Sequence, residues 1–325
     1  MKLTTPVEIS NNLPKLGYNS NILSLGSCFS VHIGNKLAET KHKILQNPCG
    51  ITYNPISLLS CIKMCISGNS LPEELLIKSG ELWAHHDFHG SFNDSVKSLA
   101  VQKMNASVTT AHNFLKNVDC VLLTIGTSFV YSLNDKDNKI VNNCHKRPDN
   151  LFSRRLLSQQ EITQSLIDLI GLIQSFSKRK VAFIFSLSPV RHLKDGAILN
   201  QQSKASALLA IHHICNEFEE ANYYPAYEIL LDELRDYRFY NEDMIHPSKI
   251  AIKYIFELFE RHCLITNEKE QRDKIYKLIK SLRHRPLHKS SDSYNQFRQN
   301  LLEQITDLEA QYELSFNEER QLLNN

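Results

Sequence analysis

The sequence predicts an α/β fold, in which helices pack on both faces of a central parallel sheet. Three apolar runs of strand length support this prediction and lie within residues 21–30, 119–131 and 180–192. Each strand ends in Gly, Ser or Thr, and stretches with helical spacing separate the three. Strands of a parallel sheet are buried on both faces, and helices usually connect them. We therefore expect a three-layer α/β/α domain with its ligand chemistry at the carboxyl ends of the strands.

The first strand ends abruptly in Gly26-Ser27-Cys28, and a helical pattern follows over residues 31–39. This order of strand, sharp glycine turn, small nucleophile and helix places a reactive side chain at the edge of the sheet. The amino terminus of the helix offers N–H groups that stabilise a thiolate, an alkoxide or an oxyanion. The alternative interpretation is a tight turn with a buried cysteine.

The middle of the chain alternates loops and helices. Residues 46–55 carry two Asn-Pro pairs around a glycine, which is typical of a loop. Helical spacing follows over residues 56–66, 99–117, 161–176 and 200–222.

Two polar loops are candidates for pocket walls. Residues 83–92 hold three of the fourteen histidines and the only tryptophan, and residues 142–148 are polar and turn-like. His85 and His89 would share one helical face and could bind a metal. The flanking Gly90 and the aromatic residues favour an irregular loop instead, so we expect no metal here.

Composition narrows the class of protein. The chain has 325 residues, 42% hydrophobic residues and a net charge of +2. This balance is ordinary for a globular protein and gives no reason to expect a nucleic-acid or anionic-membrane partner. No apolar run has the length of a membrane span, and the amino terminus lacks the apolar region of a signal peptide.

The eight cysteines are scattered without a regular framework. This usage fits reduced thiols, so we expect a cytoplasmic protein. Cys61 and Cys65 are spaced to share a metal, but no second Cys/His pair has zinc-site spacing, which favours core thiols. We expect no cofactor and no metal.

A second local motif, Asp243-x-x-His246-Pro247, precedes a helical pattern that begins near Ala251. In this spacing the carboxylate can hold one imidazole nitrogen while the other nitrogen faces a nucleophile. Many such pairs are merely surface residues.

Together these residues resemble the GSCFA domain family. The similarity covers about residues 1–260. The stretches that carry it are 25–30, 47–50, 53–55, 124–127, 143–146, 188–196, 203–205, 225–228, 232–240 and 246–248.

The resemblance implies a bacterial protein whose plan is similar to that of SGNH (GDSL-type) hydrolases. In that plan a nucleophile follows the first strand, oxyanion-binding residues follow later strands, and an Asp-x-x-His pair comes late. The position of the nucleophile falls on Cys28, while Ser27 stands where such enzymes have Asp. Both stay candidates, and Cys28 is favoured because a thiolate beside a histidine is easily formed.

The same resemblance suggests oxyanion donors. Gly50 is the candidate for a backbone donor. SGNH hydrolases usually have an Asn in a Gly-x-Asn block, and Ser128 stands at that position here. The hydrogen bond of the missing amide would then come from Ser128 or from Asn143.

We expect acyl transfer: His246, oriented by Asp243, deprotonates the nucleophile, which attacks an ester or thioester carbonyl. The product is either a hydrolysed ester or an acylated acceptor on a glycan or small metabolite, and the acyl donor could be a thioester. The alternative is a non-catalytic protein of this fold that binds a ligand or a partner. The expected substrate-binding residues are His89, His145, Arg191, His192 and Lys194.

The chain divides into an α/β domain over residues 1–262 and a helical extension over residues 263–325. Within this extension, residues 266–325 resemble no particular family. Two amphipathic stretches, broken at Arg285-Pro286, predict a helical hairpin. The hairpin would pack on the domain or on a second chain, which would make a homodimer. We interpret its basic residues as a solvated face.

Overall fold

Strands and helices alternate along most of the chain, which then ends in helices alone. The structure is a computed structural model and describes residues 4–283 and 292–324. In chain order the elements are β1 (Ile22–Gly26), α1 (Cys28–Glu39), β2 (Ile44–Gln46), α2 (Pro55–Ser67), β3 (Ile77–Ser79), β4 (Leu82–Ala84), α3 (Lys97–Leu115), β5 (Cys120–Ile125), β6 (Phe129–Leu133), β7 (Ile140–Val141), β8 (Phe152–Leu156), α4 (Gln159–Phe176), β9 (Ala182–Leu187), α5 (Gly196–Glu217), β10 (Ala221–Tyr223), α6 (Ala226–Glu228), α7 (Lys249–Cys263), α8 (Lys269–Leu282), α9 (Asp292–Tyr312) and α10 (Asn317–Asn324).

Five parallel strands form the central sheet in the order β10-β9-β5-β1-β2. Within it, Ile22 of β1 lies opposite Cys120 of β5, and Cys120 lies opposite Ala182 of β9. The three predicted strands are therefore the three central ones. Their carboxyl ends meet at one edge of the sheet.

The two faces of the sheet are covered by different helices. Leu23 and Leu25 of β1 share a buried cluster with α2, α3, α4 and α5. Ile22 of β1 and Leu122 of β5 share another buried cluster with α1 and α7. This alternation confirms the predicted three-layer α/β/α architecture.

The two edge strands were not predicted. The spacing of apolar residues predicted one helix over residues 200–222. In the structure, α5 ends at Glu217 and residues 221–223 form β10. Strands β2 and β10 have three residues each, which is too short for an apolar run to stand out.

Beside the central sheet, the described residues form the antiparallel sheets β3-β4 and β7-β6-β8, and the second of these continues from the carboxyl end of β5. The chain leaves β5 after Ile125 and starts β6 at Phe129. The N–H groups of Gly126 and Thr127 both donate to the carbonyl of Tyr53, at 2.8 and 3.0 Å. This contact turns the chain away from the sheet, so that β6 and β8 form a wall above the strand ends.

The C-terminal helices have a core of their own and dock on the main domain. Ile275 of α8, Ile305 of α9 and Phe316 before α10 are fully buried in this cluster. Ion pairs join it to α1 and the residues just after that helix. Lys41, which follows α1, contacts Glu319 of α10 at 2.6 Å, and Arg283, which follows α8, contacts Glu39 of α1 at 2.6 Å.

Helices α8 and α9 are the two helices predicted for this segment, and the described part adds α10. The predicted break at Arg285-Pro286 lies outside the described residues. The homodimer stays a prediction. No helix in residues 4–283 and 292–324 is long and apolar enough to cross a membrane.

Candidate active site

Gly26 makes the turn at the end of β1. Its φ is +128°, and a Cβ at this position would overlap the carbonyl oxygen of Thr124 on the neighbouring strand. The N–H of Ser27 then donates to the same carbonyl at 3.2 Å. Only glycine allows the backbone to turn so close to β5, and the turn directs the next residues to the carboxyl edge.

Ser27 and Cys28 begin helix α1 in different surroundings. Ser27 is 2% exposed and caps the helix, since its Oγ accepts a hydrogen bond from the N–H of Phe29 at 3.3 Å. Cys28 is the first helical residue and is partly exposed. Its own N–H has no hydrogen-bond partner among the described residues. A free donor and a free thiol thus lie together at the positive end of the helix.

Tyr53 faces the thiol, with its Oη 3.5 Å from the Sγ of Cys28. Partial burial of the phenol, and then its contact with Cys28, raise the pKa of Tyr53 well above its usual value. The hydroxyl therefore stays protonated and can donate a hydrogen bond. The sequence analysis did not single out Tyr53 as a site residue. The available signal was its place in the loop before α2, within a family-like stretch.

The predicted Asp243–His246 pair forms. The Oδ2 of Asp243 lies 2.7 Å from the Nδ1 of His246, and its Oδ1 accepts the N–H groups of Ile245 and His246 at 2.9 and 3.0 Å. These hydrogen bonds lower the pKa of Asp243 to about 2, so the carboxylate is charged across the neutral range. The Nε2 of His246 has no partner among the described residues.

Cys28 and His246 line one cavity of about 620 Å³. No hydrogen bond joins them in the part of the chain that the structure describes. His32 of α1 lies near His246, and burial and then that histidine lower the pKa of His32. The cavity is large enough for a small-molecule ligand.

Two of the three predicted oxyanion donors are turned away from this cavity. The N–H of Gly50 donates to the carbonyl of Asn47 at 2.6 Å. Ser128 is fully buried, and both its N–H and its Oγ donate to Ser203, at 2.8 and 2.6 Å. Neither residue lines the cavity, so their assignment as oxyanion donors is not supported.

Asn143, the third, does line the cavity. Its Oδ1 accepts the N–H of His145 at 2.8 Å, which fixes the amide. The Nδ2 group has no partner among the described residues, so it is free to donate to a ligand.

Four of the five predicted substrate-binding residues also line the cavity: His89, Arg191, His192 and Lys194. His145 does not. It is 6% exposed, and its Nε2 is hydrogen-bonded to the carbonyl of His85 at 2.9 Å. His145 therefore joins the two polar loops instead of facing the cavity. Three further basic residues line the cavity that the sequence analysis did not name, Lys146, Arg147 and Arg154. Two of them belong to the polar loop 142–148.

The one described group of side chains close enough to share a metal lies outside this cavity. The sulfur atoms of Cys49, Cys61 and Cys65 are buried and within 4.8 Å of one another, the only such group in residues 4–283 and 292–324. Cys49 thus joins the pair noted in the sequence. The stretch with His85 and His89 is an irregular loop, as expected. Burial lowers the pKa of His85 to about 4, so this histidine is neutral.

The fold and this cavity define an α/β/α protein with a thiol and an Asp-His pair at the carboxyl edge of its sheet. Comparison with family models is consistent with this class. A model described as the GSCFA family matches residues 21–259, and the chain belongs to that family. A second model, GSCFA domain protein, C-terminal domain, matches residues 275–325, for which the sequence analysis found no resemblance. No curated protein matches the chain.

Proposed function

We propose that the protein is an acyl-ester hydrolase or O-acyltransferase that works through an acyl group on the thiol of Cys28. The observation that carries the proposal is that a helix-terminal thiol and His246 line the same cavity, while Asp243 holds the other imidazole nitrogen of His246. A thiol and a histidine oriented by a carboxylate are the components of covalent acyl transfer.

In the first half-reaction, the Nε2 of His246 takes the proton of Cys28, and Sγ attacks the carbonyl carbon of the ester. The N–H of Cys28, the hydroxyl of Tyr53 and the amide of Asn143 are the donors available to the oxyanion. The C–O bond then breaks, the leaving alcohol takes the proton from His246, and a thioester remains on Cys28.

In the second half-reaction, water or an acceptor hydroxyl loses its proton to His246 and attacks the thioester. The acyl group leaves as a carboxylic acid or as a new ester, and the thiol recovers its proton. A glycan or a small metabolite is the proposed acceptor or ester.

Cys28 is preferred to Ser27 as the nucleophile because the Ser27 hydroxyl is buried and already serves as the helix cap. The Sγ of Cys28, in contrast, has only Tyr53 as a hydrogen-bond partner within the described residues. Attack by Ser27 would require loss of the cap, which costs about 1 kcal/mol.

All eight cysteines are unpaired in the structure. Free thiols are usual in a reducing compartment, which supports the proposal that the protein works in the cytoplasm.

The test is intact mass and peptide mapping after brief exposure to an activated acetyl ester. We expect one acetyl group on Cys28 in the unaltered protein and none with His246→Ala. The control is His213→Ala, which removes an exposed histidine of α5 and should leave acetylation unchanged. An adduct on Ser27 would reassign the nucleophile. Absence of any adduct between about pH 6 and 9 would favour the alternative, a ligand-binding protein without catalysis.

A further inference from the structure

The wall of the cavity around Cys28 is strongly basic. Five Lys and Arg side chains line it, against one carboxylate, that of Asp149. The five are Lys146, Arg147, Arg154, Arg191 and Lys194.

One of the five, Arg154, forms an ion pair with a carboxylate of the protein. The Nη2 of Arg154 lies 2.6 Å from the Oδ2 of Asp195, and the guanidinium stacks on the ring of Phe129, 3.9 Å from its centroid. Arg154 therefore holds β8 and the loop after β9 together.

The other four have neutral partners or none. Arg191 donates to the carbonyl of Met244 at 3.1 Å, and Lys194 donates to the hydroxyl of Tyr131 at 2.9 Å. Neither they nor Lys146 and Arg147 form an ion pair within residues 4–283 and 292–324. The ion pairs found there belong to other residues.

Some lysines of the surface helices, in contrast, have a charged partner. Lys253 of α7, and Lys269 and Lys274 of α8, each have a carboxylate one turn away, at 3.5, 3.1 and 3.0 Å. Among the described residues, four basic side chains without an ion-pair partner thus line one concave site. Charges of one sign in a concave site with low-dielectric walls raise the local concentration of the opposite ion.

We propose that the cavity binds a ligand with a phosphate or carboxylate group, held by Arg191 and Lys194 together with Lys146 and Arg147. The inference rests on the proposed function in one respect, that this ligand is the acyl donor or acceptor for Cys28. Arginine binds such groups through two parallel hydrogen bonds, and lysine adds a point charge. We therefore expect esters that carry no anionic group to be poor substrates.

The first experiment compares alkylation of Cys28 by iodoacetate, which is an anion, and by iodoacetamide, which is its neutral analogue. The quantity measured is the rate with iodoacetate divided by the rate with iodoacetamide. A short peptide with one cysteine, present in the same tube, gives the reference value of this ratio. We expect this ratio to be about tenfold higher at Cys28 than in the peptide and to fall as salt is added.

Arg191→Gln with Lys194→Gln should return the ratio towards the peptide value. The control Lys63→Gln removes one charge from an exposed lysine of α2, outside the cavity, and should leave the ratio unchanged.

The second experiment does not need the thiol. Calorimetric titration with inorganic pyrophosphate and, separately, with citrate measures binding to the full chain and to the Arg191→Gln, Lys194→Gln variant. Saturable binding that this variant loses supports the proposal. Preference for pyrophosphate identifies a phosphate ligand, and preference for citrate identifies a carboxylate.

A rate ratio equal to that of the peptide, together with no binding of either anion, would overturn the inference. Anion binding by a protein whose Cys28 reacts with neither reagent would leave the anion site intact and count against the acyl-transfer mechanism.

Discussion

Ser27 and Cys28 are neighbours in the chain, yet at the scale of single residues their side chains differ in what they contact. The cap hydrogen bond uses the oxygen of Ser27, whereas the sulfur of Cys28 faces the cavity and Tyr53. The sequence left both residues as candidate nucleophiles, because a motif shows the order of residues along the chain but not the hydrogen bonds that each side chain forms. Asp243 and His246 were predictable because their contact is local. The contact of the Tyr53 hydroxyl with Cys28 was not, since it depends on how a loop further along the chain packs.

Tyr53→Phe should slow acetylation of Cys28 by about a hundredfold, because it removes one donor to the oxyanion. The free energy of unfolding should hardly change, since the ring that packs against Gly126 is kept. Rates come from time-resolved intact mass, and stability comes from urea unfolding.

Tyr227→Phe serves as the control, because it removes a hydroxyl that is bonded to Gln201 outside the cavity around Cys28. If both variants acetylate at the original rate, Tyr53 takes no part in the reaction.

At the scale of elements, the long central strands were predictable and the short ones were not. Continuous apolar runs mark β1, β5 and β9 because both of their faces are buried. Edge strand β2 is half-buried and three residues long, so its sequence resembles that of a loop. Contacts across the sheet, rather than local preference, decide its conformation.

Gly26→Ala should destabilise the protein by about 3 kcal/mol and abolish acetylation of Cys28, because the new methyl group overlaps the Thr124 carbonyl between β1 and β5. The matched control is Gly80→Ala between β3 and β4. Gly80 also has a positive φ, of 60°, but nothing lies within 4 Å of the added Cβ.

The control Gly80→Ala should therefore lower the free energy of unfolding only by the backbone strain, about 1 kcal/mol. Urea unfolding of both variants gives the comparison. Equal losses would mean that the approach of β1 to β5 is not tight enough to require glycine.

At the scale of the whole molecule, one buried charge connects the layers. Lys204 of α5 is 2% exposed, and its Nζ donates to the carbonyls of Gly126 and Ser188, at 2.7 Å each. These carbonyls follow β5 and β9, so the lysine joins the helix layer to the edge of the sheet that holds the cavity. Helical spacing placed Lys204 near the start of a helix but did not reveal this burial.

Burial lowers the pKa of Lys204 to about 7. The unfolded chain keeps this proton up to about pH 10.4, so the unfolded state binds more protons between about pH 7 and 10. Stability therefore rises with pH in this window, by up to about 1.4 kcal/mol per pH unit from this group.

Lys204→Met should remove that contribution. Urea unfolding of the protein and of the variant at several pH values gives the free energy of unfolding as a function of pH. The difference between the two slopes isolates Lys204, because the other titrating groups contribute equally to both. Parallel curves would show that Lys204 keeps its proton in the folded state.

The cavity draws its walls from nearly the whole length of the α/β domain, from Ser27 at one end to His246 at the other. During synthesis, the thiol of Cys28 leaves the ribosome long before the imidazole of His246. No partial chain that stops before His246 contains all the residues that line the cavity. Under the proposed mechanism, the nascent chain is therefore unable to transfer an acyl group until His246 has been made and the domain has folded.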